Sequence, residues 1–186
     1  MTDKPPFDGS PFQMHYSMSR RGILTAGGAL VSATGATAAF AQGAPAVGTG
    51  HLRFLQPLNS SKQVGYTHVV EATNPGRIIY VAGQMGMDKD GNIVGAPGDF
   101  RAQCTQAWEN VRHALETAGA GLEHIVKISQ FLLHIRAHQP LIREVRAKFF
   151  KPDQPPPAST MVQIGAFTRD GALYEVEAVA ILPARA

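Results

Sequence analysis

Pro155-Pro156-Pro157-Ala158-Ser159-Thr160-Met161-Val162-Gln163-Ile164 leads into Arg169-Asp170-Gly171-Ala172, and the chain returns as Leu173-Tyr174-Glu175-Val176-Glu177-Ala178-Val179-Ala180-Ile181-Leu182. The proline run stiffens the approach, because each ring fixes φ. Two apolar, strand-like segments with Asp-Gly between them read as a hairpin. Glu175 and Glu177 lie two apart, so they share one face of the returning strand, about 7 Å from each other. Two readings of that pair stand. They are solvated acids on an open face, or the face lies against a subunit interface. In the second case a partly dehydrated carboxylate, its pKa raised, positions a water or passes a proton.

Working back from this stretch, Pro140 suits the first turn of a helix whose apolar side is Leu141, Ile142, Val145 and Phe149. Before it, Ile125-Val126-Lys127-Ile128-Ser129-Gln130-Phe131-Leu132-Leu133 reads as a buried strand. The clearest helix runs over 99–118: Phe100, Cys104, Ala107, Val111, Ala114 and Ala118 step by four and three, with Asp99 as N-cap and Gly119 as stop. Trp108 sits at the rim of that stripe as a packing residue. Residues 66–71 and 77–82 flank Asn74-Pro75-Gly76 and read as a second hairpin, and 51–56 as an edge strand. The order, roughly β-β-β-α-β-α-β-β, gives an α+β domain: a mixed sheet of about six strands with two helices on one face. Its strands are apolar enough to be buried on both faces. A second copy of the chain is the simplest cover for the other face, so a homo-oligomer is expected.

The 186 residues are 44% hydrophobic and 17% charged, with a net charge of +3. That is a globular composition, and it carries no Lys/Arg cluster with interleaved aromatics to argue for nucleic acid. A single cysteine, Cys104, excludes an intramolecular disulfide and a cysteine-based zinc site; in a helical stripe it reads as a small buried apolar residue. His134 and His138 have i, i+4 spacing but no third ligand nearby, and they read as polar surface residues. Gly-x-Gly-x-x-Gly, the P-loop and Gly-x-Ser-x-Gly are all absent. No metal or cofactor is expected.

Residues 1–41 have the layout of an export signal: Ser19-Arg20-Arg21-Gly22-Ile23-Leu24, an uncharged stretch of small residues, and Ala39-Phe40-Ala41 before Gln42. The arginine pair resembles the twin-arginine form in part. A membrane anchor or a plain tail are the other readings, but the Gly/Ala/Thr/Ser middle would make a poor permanent span. Cleavage would leave no stable membrane anchor. Residues 42–51 read as a linker and 52–186 as the domain, working in the periplasm.

One further set of residues carries a resemblance. Gly65-Tyr66-Thr67, Tyr80-Val81-Ala82-Gly83-Gln84, Gly91-Asn92-Ile93-Val94, Glu109-Asn110-Val111, Ala118-Gly119-Ala120, Ile125-Val126-Lys127, Phe149-Phe150, Pro157-Ala158-Ser159-Thr160 and Tyr174-Glu175-Val176-Glu177-Ala178-Val179-Ala180 fall in the order and spacing of the RidA (YjgF-type) family of reactive-intermediate deaminases. The likeness spans about 52–182. It implies a chorismate-mutase-like α+β fold, a homotrimer, and small-molecule clefts between subunits. It also implies cofactor-free hydrolysis of imines and enamines of 2-amino acids to 2-keto acids and ammonia.

In that family an arginine of a Pro-Ala-Arg-Ser/Thr motif grips the substrate carboxylate through its fork. This chain has Ser159 there, Ala82 for the serine of Ser-Gly-Gln, Met161 for a cysteine, and Arg143 for a helix asparagine. Tyr66, Gly83 and Glu175 match. The resemblance therefore implies Glu175 as the catalytic carboxylate, with Tyr66, Ala82, Gly83, Arg143, Ser159 and Met161 lining the ligand cleft. Two readings follow from the missing cation. Either the cleft takes a less acidic ligand, or Arg143 takes over the anion. The first is favoured, since a helix and a strand seldom project a cation to one spot. The rival to a hydrolase is a non-catalytic trimer that binds a metabolite or a partner protein.

Overall fold

The computed structural model describes residues 47–49, 52–61 and 64–183. The export-signal reading of 1–41 and all but three residues of the 42–51 linker lie outside them. The described elements run β1 (Val47–Thr49), β2 (Leu52–Leu55), β3 (Val69–Ala72), β4 (Pro75–Met85), α1 (Phe100–Thr117), β5 (Ile125–Leu132), α2 (Ile135–Arg146), β6 (Ala158–Gln163) and β7 (Tyr174–Pro183). This is the expected α+β class with two helices. Among the described residues no helix is long and apolar enough to cross a membrane.

The sheet expected to be continuous divides in two: a small one ordered β1-β2-β3 and a large one ordered β4-β7-β5-β6. In the large sheet β7 runs antiparallel to both β4 and β5, and β5 runs parallel to β6. Both sequence-read hairpins are therefore corrected. β6 and β7 do not pair, because β5 lies between them. The 164–173 connection is too long for a tight two-residue turn, and a strand as apolar as β5 is best buried with neighbours on both edges. β3 and β4 do not pair either: β3 takes its hydrogen bonds from β2, and β4 from β7. Asn74, at φ 50, turns the chain from one sheet to the other. Leu52–Leu55, read as an edge strand, is the centre of the small sheet.

Helix α1 follows its sequence signals. The Asp99 carboxylate accepts from the Ala102 N–H at 3.0 Å, satisfying one of the free donors of the first turn. Gly119, at φ 68, ends the helix. Phe100, Cys104, Ala107, Trp108, Val111 and Leu115 are all buried. They pack on Ile128, Leu132, Tyr174, Val176, Ala178 and Ala180 of the sheet. Each large side chain buried there contributes about 1.5–3 kcal/mol.

Helix α2 begins five positions before Pro140, which is internal. The sequence hid this start because its cap comes from elsewhere. The Gln163 side chain, at the end of β6, accepts from the Ile135 N–H at 3.0 Å, and His134 turns the chain at φ 54. Pro140 forgoes a single backbone bond, to the Arg136 carbonyl.

The helices cover one face of the large sheet. On the other face Leu52 packs with Val126 and Ile181, ringed by Phe54, Val70, Ala72 and Val179. Beyond that cluster Ile78 is 48% exposed and Tyr80 77%.

Close approach at one glycine tests this packing. A Cβ on Gly86, just after β4, would fall on the backbone of Gln103 in α1. Helix backbone cannot give way, so Gly86→Ala is expected to destabilise the protein by about 1–3 kcal/mol in urea unfolding. An unchanged midpoint would mean that α1 and the end of β4 are not packed this closely.

Candidate active site

Strand alternation decides what each candidate can reach. Tyr174, Val176, Ala178 and Ala180 face the helices, so Glu175 and Glu177 face away. In β6 the partner of Ser159 is Ile128, whose side chain belongs to the helix-side core. Ser159 and Met161 are thus on the helix side. The candidate residues separate onto opposite faces of one sheet.

On the helix side is a cavity of about 510 Å³ whose lining includes Tyr66, Arg143, Arg146, Phe150, Ser159 and Met161. Tyr66 is held there by its neighbour: the Thr67 N–H donates to the Pro157 carbonyl at 3.1 Å, and the Thr67 hydroxyl to the Pro156 carbonyl at 2.6 Å. The stiff proline run thus anchors a loop from the start of the domain. Ser159 is fixed from below. The Gln130 amide donates to Ser159 Oγ at 3.1 Å, and the Tyr174 hydroxyl donates to Gln130 Oε1 at 2.8 Å. Burial drives the Tyr174 pKa well up, so the phenol stays a donor.

Arg143 lines the same cavity as Ser159. Strand β6 and helix α2 thus border one cavity. Arg146, one turn further on, was not singled out in the sequence. Its guanidinium carbon lies 5.3 Å from the Phe150 ring centre and 6.0 Å from that of Trp108. It donates to the Gly65 carbonyl at 3.4 Å, while its buried Nε has no partner. Burial lowers its pKa. The one signal available was the i, i+3 spacing of the two arginines, which puts them on one helix face.

On the opposite face Glu175 lies beside Phe131 and Met85 in the strand register. Gly83 is where it needs space: a Cβ there would fall on the Glu175 carboxylate. Dehydration pushes the Glu175 pKa up, and the Glu177 charge adds to the rise. Ala82 borders a separate hollow of about 330 Å³ with Tyr80, Lys127, Ser129 and Glu177. Lys127 donates to the Thr160 hydroxyl at 2.6 Å, and partial burial lowers its pKa.

Cys104 and His138 are engaged in packing. Burial pushes the Cys104 thiol up to about 12, so it is no nucleophile. His138 stacks on Phe100 at 4.0 Å, and its Nδ1 is 2.9 Å from the Leu133 carbonyl. Among the described residues no group of three or more His, Cys, Asp or Glu could hold a metal ion.

The chain is similar to known proteins in sequence and fold. Residues 60–182 match the family described as Endoribonuclease L-PSP. A RutC family protein of Pyrococcus horikoshii is 32% identical over 124 residues, 66% of this chain and 91% of that protein. The 3-aminoacrylate deaminase RutC of Acinetobacter baylyi is 33% identical over 111 residues, 60% of this chain and 84% of that one. Among solved structures, a Yersinia pestis protein of unknown function from the conserved Rid family superposes with a TM-score of 0.64 at 28% identity, covering 71% of this chain and 99% of its own.

The Glu175 environment predicts a pH dependence. Folding raises this pKa above its ordinary 4.5. The native state therefore holds the proton more tightly, and the stability it gains at low pH is lost as pH rises through the raised value. Glu175→Gln mimics the protonated form. Its melting temperature should match the parent near pH 4 and exceed it by pH 7. A variant less stable than the parent at pH 7 would contradict this environment.

Proposed function

The chain belongs to the Endoribonuclease L-PSP (RidA) family, and from that premise we propose that it is a cofactor-free hydrolase acting on the C–N bond of small imines or enamines. The observation that carries the proposal is the partly dehydrated carboxylate of Glu175 beside Gly83, on a sheet face still bearing exposed Ile78 and Tyr80. A relative named as a 3-aminoacrylate deaminase supports the reaction class.

The chemistry asks little of the protein. An imine carbon is already electrophilic, so orienting it and a water supplies most of the catalysis. Glu175 accepts a proton from the water as its oxygen bonds to the imine carbon, and returns it to the nitrogen. The hydroxyl proton of the resulting carbinolamine passes by way of Glu175 to the nitrogen as the C–N bond breaks, releasing ammonia and leaving the carbonyl. A carboxylate whose pKa is raised toward the working pH is suited to this transfer.

Glu175 and the Ser159 cavity lie on opposite faces, so a complete site needs two copies of the chain. In this proposal one copy supplies Glu175, Gly83 and Ala82, and another supplies Tyr66, Arg143, Ser159 and Met161. A homotrimer, the assembly that the family resemblance implies, closes three such sites and covers Ile78 and Tyr80. Ser159 in place of a strand arginine changes how the substrate is held. With the export signal read at 1–41, the hydrolase works in the periplasm.

The test uses 2-iminopropanoate generated in solution by an amino-acid oxidase, with ammonia release followed. The protein should exceed the uncatalysed rate, and Glu175→Gln should cut the excess by about 100-fold or more. A rate equal to background leaves a non-catalytic metabolite-binding trimer. A fully active Glu175→Gln removes the role given to that carboxylate.

A further inference from the structure

The cavity beside Ser159 contains an unusual balance of charge. Arg143, Arg146 and Lys151 line it, and no aspartate or glutamate does. The two arginines are one turn apart on the same helix face, where like charges repel. The acid between them, Glu144, is engaged elsewhere: it pairs with Arg101 at 2.8 Å. No ion pair among the described residues involves Arg143 or Arg146. Arg146 is the more telling. Its guanidinium is partly stripped of water beside Phe150 and Trp108, holds one long bond to a carbonyl, and keeps a buried Nε unpartnered. A desolvated guanidinium without a counter-ion is costly to keep, and an anion in the cavity offsets that cost.

We propose that Arg143 and Arg146 of α2 form a carboxylate-binding fork in this cavity, so that the ligand is a small organic acid even though strand β6 supplies serine. The assignment rests on the hydrolase reading and names the residues of this chain that hold a substrate carboxylate in place of a strand arginine. Tyr66 and Met161 form the less polar part of the lining, and Ser159 Oγ, already accepting from Gln130, has its hydrogen free to donate to a carboxylate oxygen. Arg146 is the more buried member, beside the two rings and bonded to the Gly65 carbonyl. Arg143, exposed and unpaired, closes on the bound acid from the rim. This reverses the preference for a less acidic ligand.

Trp108 is the only tryptophan in the chain, and it lies against Arg146, so its fluorescence reports binding. The full chain is titrated with 2-oxobutanoate, a keto-acid product analogue, and with its neutral counterpart 2-oxobutanamide, each also measured by calorimetry. The carboxylate should bind at least 10-fold tighter than the amide, and added salt should narrow the gap. Arg143→Gln and Arg146→Met should each weaken carboxylate binding about 10-fold or more and affect the amide much less. Arg146→Met removes a packed group and can compromise folding. Arg146→Lys keeps the charge but loses the fork, and a several-fold loss is expected there.

Equal affinity for acid and amide in the parent protein overturns the proposal, as does an unchanged carboxylate Kd in both Arg143→Gln and Arg146→Lys. The two readings fail separately. Imine turnover with no preference for the carboxylate sinks the fork alone. Arginine-dependent carboxylate binding without turnover sinks the hydrolase alone.

Discussion

Strand β7 is hydrogen-bonded along both edges, to β4 and to β5, and its side chains alternate between two unlike environments. Tyr174, Val176, Ala178 and Ala180 anchor the helix-side core. Glu175 and Glu177 are thereby forced onto the far face, and no rotamer brings them back. A slip of one residue would put two carboxylates into the helix-side core and move its four core residues to the far face. The register is fixed by this cost. Fixing it determines that the carboxylate with the raised pKa and the cation-lined cavity belong to different sides of the sheet.

A short polar thread crosses the apolar layer next to that seam. Tyr174 donates to Gln130, and Gln130 donates to Ser159. Gln130 and Tyr174 are buried, so each unmade bond would cost about 1–3 kcal/mol. The thread gives Ser159 a defined orientation and connects the floor of the cavity to β7. Above it, Thr67 clamps the Tyr66 loop to the proline run. The cavity is therefore held from the sheet on one side and by a stiffened loop on the other, with α2 bringing its arginines over the top.

Much of this was legible in the residues. The period-four and period-three stripe of Phe100, Cys104, Ala107 and Val111 located α1 to within a residue at each end, because cap and stop are local signals. The same holds for β5, whose apolar run has few other uses. Pairing was not legible. Asp170-Gly171 resembles a hairpin turn, but the insertion of β5 between β6 and β7 is a non-local choice made by burial. The start of α2 was hidden because its cap is Gln163, far away in sequence. At the site, the period-two rule foretold that Glu175 and Glu177 share a face. It could not tell that Arg146 would lie beside Trp108 and Phe150, since that depends on how α2 crosses α1.

The central claim is that one chain carries two halves of a site which only a second copy can join. It is tested most directly by mixing two inactive proteins. One carries Glu175→Gln; the other carries Ser159→Trp, which fills the cavity. They are unfolded together, refolded at equal ratio, and assayed on an imine that the parent hydrolyses. Random assembly through head-to-tail contacts should restore on the order of a quarter of the parent activity, from sites pairing an intact cavity with an intact Glu175. A mixture no more active than its two components would contradict the account.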